Sequence, residues 1–475
     1  ELRVKVQDKF IRVKHAQDSV GGVPVQQDTY QAESLKQGRT GQQLEQVENE
    51  AFDPIIEGMK DRGITLSEIG DYLYAKHAPE ANRAADAINH PNLNIPGSRD
   101  LRGRGSGMSD AEAAQIIADI TAAGRLADFE AIESLVRPLI DETREYLVAS
   151  GLLSREAADA WAAKFDFYVP LRGFADTVME EELYGRGMGS DTRAAASKQR
   201  FGRLSKADNP LVYVMMQAEL AIVRGENNKV GNTFLRFVQA NPDPRRWKIE
   251  PIPTKKAIDP RTGLVTEVPD NSWRHKDDVF ITRVGGKPIA IQLQGNEGKQ
   301  LARALRSMEA ARFNVVMRLA QATTTMMARL STQLNPEFII TNLERDVGEA
   351  FINLQAQDQR RFVSQFSKHL IPAMKGSFDA LRGAPGGAYA QAFREFDADG
   401  GRIRFYGLDN HEDVKANIDK KMRQLEGGLV NGVRGAGEAA VHGMEIVTGA
   451  LENATRLAAY MAARDVGMPR SKAAM

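Results

Sequence analysis

Asn209-Pro-Leu-Val-Tyr-Val-Met-Met-Gln-Ala-Glu-Leu-Ala-Ile-Val223 is the stretch whose reading decides the fold class. Asn209-Pro210 opens a helix, because proline's fixed φ suits a first turn and its missing N–H has no helical partner there. Val212, Met215, Met216, Leu220 and Val223 share one helical face, and Phe234, Phe237 and Val238 continue the pattern. The texture changes at Pro242. Short β-type runs follow at 247–252, 264–268, 279–284 and 289–293, separated by Asp259-Pro-Arg-Thr-Gly263 and by Gly285-Gly286. A Gly-Gly pair between two such runs signals a hairpin. Helical spacing returns at Gly298 through Leu301, Leu305, Met308, Val315, Leu319, Ala322, Met326 and Leu330, and stops ahead of Asn335-Pro336. The expected class is therefore mainly α, a multi-helix array with a small inserted antiparallel β region at about 245–293.

Working outward, residues 1–50 are polar and glutamine-rich, with Leu2, Val4, Val6, Phe10, Ile11 and Val13 spaced for one face. They read as an extended or helical arm lying against another subunit or a further domain. Residues 51–173 read as an N-terminal helical domain. In it, Ile64-Thr-Leu-Ser67 opens a helix that Pro79 is expected to end or restart. Residues 86–108 are a polar connection. Ser109-Asp-Ala-Glu112 is a capping box ahead of an apolar stripe from Ile116 to Ile140, with Gly124 as its breaking point. Ser154 caps a further helix to Phe165, and 174–205 reads as a mobile loop. Residues 206–334 hold the long helices and the β insertion. A C-terminal helical domain fills 335–475, with helices expected over 336–355, 361–371, 389–397, 411–426 and 451–466 and a short strand at 403–406.

Composition removes several classes. The 63 basic residues match 63 acidic ones, for a net charge of +0. A dedicated nucleic-acid binder is usually basic, so only a local basic face remains open. With no cysteine there is no disulfide, thiol nucleophile or cysteine-built zinc site. No run of roughly 20 apolar residues, the length of a membrane span, occurs. The nearest, 429–451, carries Arg434, Glu438, His442 and Glu445. The start at Glu1 and the helix-like close at 470–475 read as the limits of a piece of a longer protein.

Motifs for chemistry are weak. The histidines at 15, 77, 90, 275, 369, 411 and 442 include no i, i+4 pair with an adjacent glutamate. Gly103-Arg-Gly-Ser-Gly107 lacks a preceding strand and a following Gly-Lys-Ser/Thr, so it reads as a flexible linker. Asp397-Ala-Asp399 lacks the carboxylate that closes a calcium loop, since Leu408 stands there. Arg245-Arg246 and Arg360-Arg361 read as solvated charge. The expectation is that this segment has no catalytic, cofactor-binding or metal-binding residue and no small-molecule substrate.

Four stretches carry a resemblance: Tyr72-Leu-Tyr-Ala-Lys-His77-Ala-Pro-Glu80-x-Asn82-Arg83; Phe165-x-Phe-Tyr168-Val-Pro170-Leu171-Arg172-Gly173; Asn335-Pro336-Glu-Phe-Ile-Ile-Thr-Asn342-x-x-Arg345-Asp346; and Glu452-Asn453-Ala-x-Arg456-Leu-Ala-Ala-Tyr460-x-x-Ala-Arg464-Asp465. As a set they resemble the polyvalent proteins of tailed phages and related mobile elements. The region after about 330 resembles a helical large polyvalent protein-associated domain. The resemblance implies a module of a large internal virion or ejection protein, stored in the virion and moved into the host envelope or cytoplasm. Similar proteins assemble around the tail channel, with the family's enzymes in other domains. It implies as partners further copies of the chain, other ejection, portal and tail proteins, phage DNA and the host envelope. An accessory helical domain that binds or protects injected DNA is the alternative, and a plain nucleic-acid-binding scaffold a third.

The motif residues read as structural. Arg172 is expected to bond carbonyls and Gly173 to supply a positive φ. Asn335 or Thr341 is expected to cap a helix. Arg345–Asp346 and Arg464–Asp465 are expected to form buried charge pairs that join helices.

Overall fold

The structure, a computed structural model, describes residues 10–88, 103–172, 205–258, 265–270, 272–273, 276–308, 360–384, 386–402, 411–426, 450 and 453–474. Helices α1 (Ile11–Asp18), α2 (Thr29–Ser34), α3 (Lys36–Val47), α4 (Asp53–Asp61), α5 (Leu66–Ile88), α6 (Asp110–Ala122), α7 (Leu126–Ala149), α8 (Arg155–Lys164) and α9 (Pro210–Ala240) precede the strands. These are β1 (Trp247–Glu250), β2 (Thr254–Ile258), β3 (Val265–Pro269), β4 (Val279–Val284) and β5 (Lys287–Leu293). Then come α10 (Gly295–Arg306), α11 (Arg360–Leu381), α12 (Ala388–Ala398), α13 (His411–Glu426), α14 (453–465) and α15 (Arg470–Ala473). The class is mainly α with a small inserted antiparallel β region, as expected.

Local chemistry sets the helix starts. The Ser109 hydroxyl accepts the Glu112 N–H at 3.2 Å while the Glu112 carboxylate accepts the Ser109 N–H at 2.7 Å, closing the capping box. Ser154 caps α8 through the Ala157 N–H at 3.1 Å. Asn209 caps α9 through the Leu211 N–H at 3.0 Å and donates its own amide to the Leu66 carbonyl at 2.6 Å, tying the starts of α9 and α5 together. The stripe from Ile116 to Ile140 does break at Gly124, whose φ is +70°.

Prolines proved weaker punctuation than expected. Pro79 lies inside α5 and Pro372 inside α11. Each removes one backbone donor, but burial continues on both sides: Ala75, Ala78, Asn82 and Ala85 in α5, and Phe366, Ala373 and Ser377 in α11. The β2 strand escaped the sequence reading, which began the second run at residue 264. The N-terminal arm also reads differently. Phe10, Val13 and Ala16 are buried within the chain itself, where α1 packs beside α10. Leu2, Val4 and Val6 of the expected face lie outside the described residues.

The chain forms two units. Unit 1 comprises Glu1–Tyr30, Leu44–Ala311 and Gly407–Glu426. Unit 2 comprises Gln31–Gln43, Arg312–Tyr406 and Gly427–Met475. The expected blocks 51–173 and 206–334 thus share a unit as far as residue 311, and α13 joins them from the expected C-terminal domain. The expected loop at 174–205 (apart from Ser205), the helix beyond Met308, the helix at 336–355 and the strand at 403–406 lie outside the described residues.

In unit 1, Ile69, Tyr72 and Leu73 of α5, Phe129, Ile132 and Val136 of α7, and Leu211, Val214 and Met215 of α9 form one core. Burial of each such side chain contributes roughly 1.5–3 kcal/mol before entropy. The three-stranded sheet runs β1-β5-β4, all antiparallel, with Val284 opposite Lys287 across the hairpin. Gly285 and Gly286 both have positive φ, 55° and 76°, which a two-residue turn of this hand requires. Phe280 meets Phe234 of α9 edge-on at 6.1 Å, and Trp247 stacks obliquely on Phe237 at 5.3 Å.

One side chain fixes the sheet on the helix. Asn228, fully buried in the middle of α9, donates to the Ser150 and Arg283 carbonyls, both at 2.8 Å. It accepts from the Arg283 N–H at 2.8 Å and the Thr282 hydroxyl at 3.0 Å. Gly231, one turn on, gives the strand room: a Cβ there would lie 2.7 Å from the Thr282 hydroxyl oxygen. Asn228→Ala leaves buried backbone groups of β4 and of the α7 terminus without partners. Urea denaturation should show a loss of about 3 kcal/mol, at the upper end for a buried unsatisfied set.

Candidate functional site

The motif residues of unit 1 converge on α5. After α8 the chain turns extended, and residues 165–172 cross that helix. His77 Nδ1 lies 2.7 Å from the Phe167 carbonyl oxygen. A carbonyl only accepts, so Nδ1 carries the hydrogen. The imidazole sits edge-on to Phe165 at 5.1 Å and Tyr168 at 5.4 Å, and Tyr168 packs against Trp161 at 4.9 Å. The Glu80 carboxylate accepts the Asp166 and Phe167 N–H groups at 3.3 and 3.4 Å. Burial pushes the His77 pKa down to about 4 despite the carbonyl contact, so the ring is neutral at pH 7. Val169 and Pro170 are buried and Leu171 is half-buried. The Arg172 carbonyl accepts the Asp208 N–H at 2.7 Å, while its guanidinium lies over the Tyr213 ring at 5.9 Å. Gly173 lies outside the described residues.

The first motif is equally tied in. The Tyr72 hydroxyl donates to Glu133 at 2.7 Å, and Arg137 and Lys76 reach the same carboxylate at 2.7 and 3.2 Å. Burial opposes the Glu133 charge, but these donors outweigh it and hold the carboxyl below its ordinary value. Burial, then the bond to Glu133, pushes the Tyr72 phenol up. Asn82 donates to the Met108 carbonyl at 2.9 Å and to Asp110 at 2.7 Å, and accepts the Ser106 N–H at 2.7 Å. The Gly103 N–H points at the Asp86 carboxylate at 3.2 Å. The glycine-rich stretch expected to be a flexible linker is thus clipped to α5 from residue 103 on, and three of its N–H groups, those of Gly103, Ser106 and Gly107, already face the protein's own acceptors.

In unit 2 the fourth motif occupies α14. Asn453 is buried and Arg456 exposed. Tyr460, buried, packs on Phe396 at 5.6 Å. The expected buried pair Arg464–Asp465 is not formed. Adjacent helical residues point about 100° apart, and both side chains are exposed. Arg464 instead donates to the Met468 carbonyl at 2.9 Å, beyond its helix end. Asp465 meets His369 Nε2 of α11 at 2.8 Å, and His369 Nδ1 lies 2.7 Å from the Tyr389 hydroxyl of α12. A neutral imidazole satisfies this chain throughout, donating from Nε2 and accepting the phenol hydrogen at Nδ1. Its order matches a carboxylate–imidazole–hydroxyl relay. Burial, then the Asp465 charge, pushes the Tyr389 phenol up, so the resting hydroxyl stays protonated. Nothing in sequence spacing announces His369 and Tyr389, which lie 96 and 76 residues before Asp465 (465−369; 465−389).

Asn335, Pro336, Asn342, Arg345 and Asp346 lie outside the described residues. Among the described residues no group of three or more His, Asp or Glu side chains is placed to hold a metal ion, and no helix is long and apolar enough to cross a membrane. No family model, curated protein or solved structure matches the chain.

Two outcomes test these sites. The unfolded chain takes up the His77 proton near pH 6.5 and the folded chain only near pH 4. Between these values the unfolded state binds more protons, so stability is complete above pH 6.5 and falls as pH drops. The loss approaches about 3 kcal/mol at pH 4, and His77→Gln removes that part of the slope in urea titrations. In unit 2, Asp465→Asn and Tyr389→Phe should each cost about 1 kcal/mol in thermal unfolding, discounted because Asp465 is partly exposed, while Arg464→Ala should cost less than about 0.5 kcal/mol.

Proposed function

We propose that the chain is a structural, oligomer-forming segment of a large phage internal virion or ejection protein, one that helps deliver the genome through the tail and the host envelope. One observation supports this reading above the rest. Where the structure describes the polar residues of the family-like motifs, most of them hold helices or irregular chain in place. His77 and Glu80 bind the 165–167 backbone, Asn82 binds the 106–110 turn, and Asp465 joins α14 to α11. The buried ones among these, at His77 and Asn82, are satisfied polar contacts of the kind that rigidify and specify one packing, which suits a part that must keep its shape in an assembly. A net charge of +0 lets copies approach without overall repulsion. The partners proposed are further copies of the chain and the other ejection, portal and tail proteins. The location proposed is the virion interior, then the host envelope or cytoplasm.

Mass spectrometry of purified particles should detect peptides of this chain, and light scattering on the isolated protein should show a multimer. Absence from the particles sinks the reading. Retention on DNA that weakens steeply with salt, by a protein that stays monomeric, would favour the DNA-binding alternative instead.

A further inference from the structure

Helix α13 is the part of the chain after residue 406 that belongs to unit 1; the residues on either side of 407–426 belong to unit 2. It lies against α4 and α9. Val414 and Ile418 are 7% and 3% exposed and, with Met422, complete the unit 1 core at four-residue steps along one face. On the rim, the Lys421 ammonium lies 2.8 Å from Glu48 and also binds Asp53. The opposite face is polar or small and exposed, with Lys415, Ala416, Asn417 and Lys420. The α4–α9 groove therefore recognises an amphipathic helix by three apolar side chains and one cation, the pattern of helix-in-groove binding.

We propose that α13 is exchanged between copies, each copy's helix seating in the α4–α9 groove of a second copy of this chain. Three features point to it. The attachment is small, one face of a 16-residue helix, so it belongs among the elements that open locally before the rest. The groove left behind is apolar with two carboxylates at its rim, and a second copy's α13 is its match in shape and charge. Exchange also repeats contacts the fold already makes, so it needs no new surface, only a concentration of second copies that competes with the chain's own tether. Reciprocal exchange closes a dimer. This inference rests on the oligomer-forming reading and names the surface that reading lacks.

Charge reversal in two full-length variants tests it. K421E puts an anion on the helix, and E48K/D53K puts cations on the groove. Each variant alone opposes its own docking. Mixed, the reversed helix meets the reversed groove, and the unreversed helix meets the unreversed groove. Light scattering should show weak self-association for each variant and a stable one-to-one dimer for the mixture. Zero-length carbodiimide coupling on a mixture of light- and heavy-nitrogen wild-type chains supplies an independent readout. Hybrid light–heavy peptides joining Lys421 to Glu48 or Asp53 are expected. Only matched peptides, with no gain on mixing the variants, would overturn the exchange. If the wild type is nevertheless multimeric, the oligomer reading stands and exchange alone fails; if it is monomeric, both fail.

Discussion

The carboxamide of Asn228 is the contact on which the sheet and the long helices depend together. A side-chain amide has the donors and acceptor of a peptide unit. Placed beside β4, an edge strand, it pairs with both the N–H and the C=O of Arg283, as a neighbouring strand would. Edge strands otherwise present unpaired backbone to other chains. Here a helix supplies the missing partner at one residue, and the same amide reaches the Ser150 carbonyl at the end of α7. Helix, strand and turn therefore share one residue. None can shift without leaving buried polar groups unsatisfied, and that penalty exceeds what most single apolar contacts contribute.

The same device recurs wherever irregular chain meets a helix. Asn82 holds the turn at 106–110, and His77 and Glu80 hold 165–167. In each case a helix-borne amide, imidazole or carboxylate satisfies backbone that lacks a ladder. Such segments need this help because their N–H and C=O groups have no regular partner once they leave water. The apolar core gives α5, α7 and α9 a reason to pack. The polar clips decide which loop crosses which helix.

Much of this was legible in the sequence. The helix starts at Ser109, Ser154 and Asn209 and the Gly285-Gly286 hairpin obey local rules, and local rules are what a single sequence displays. The helix expected to end or restart at Pro79, and the one expected to stop at residue 371, both run on through a proline, because its local cost competes with burial on both flanks, which depends on distant residues. β2 was missed because its pairing with β3, not its own run Thr-Lys-Lys-Ala-Ile, makes it a strand. Tyr168 could be singled out from its motif, but not the cage of Trp161 and His77 around it. Asp465 could be singled out too, but its partner could not. Arg464 is next in sequence, and the helix turns it away.

The interleaving of the two units has a consequence in time. Unit 1 draws on residues 1–30, 44–311 and 407–426, while unit 2 takes residues 31–43, 312–406 and 427–475. Lys421 and Glu48, in direct contact, are 373 residues apart in the chain. During synthesis α4 and α9 emerge with their shared groove open, and it stays open until residues 407–426 have been made. Folding with such distant contacts is slow, and partly built intermediates expose apolar surface while they wait. Chains growing side by side on one message would meet in that interval.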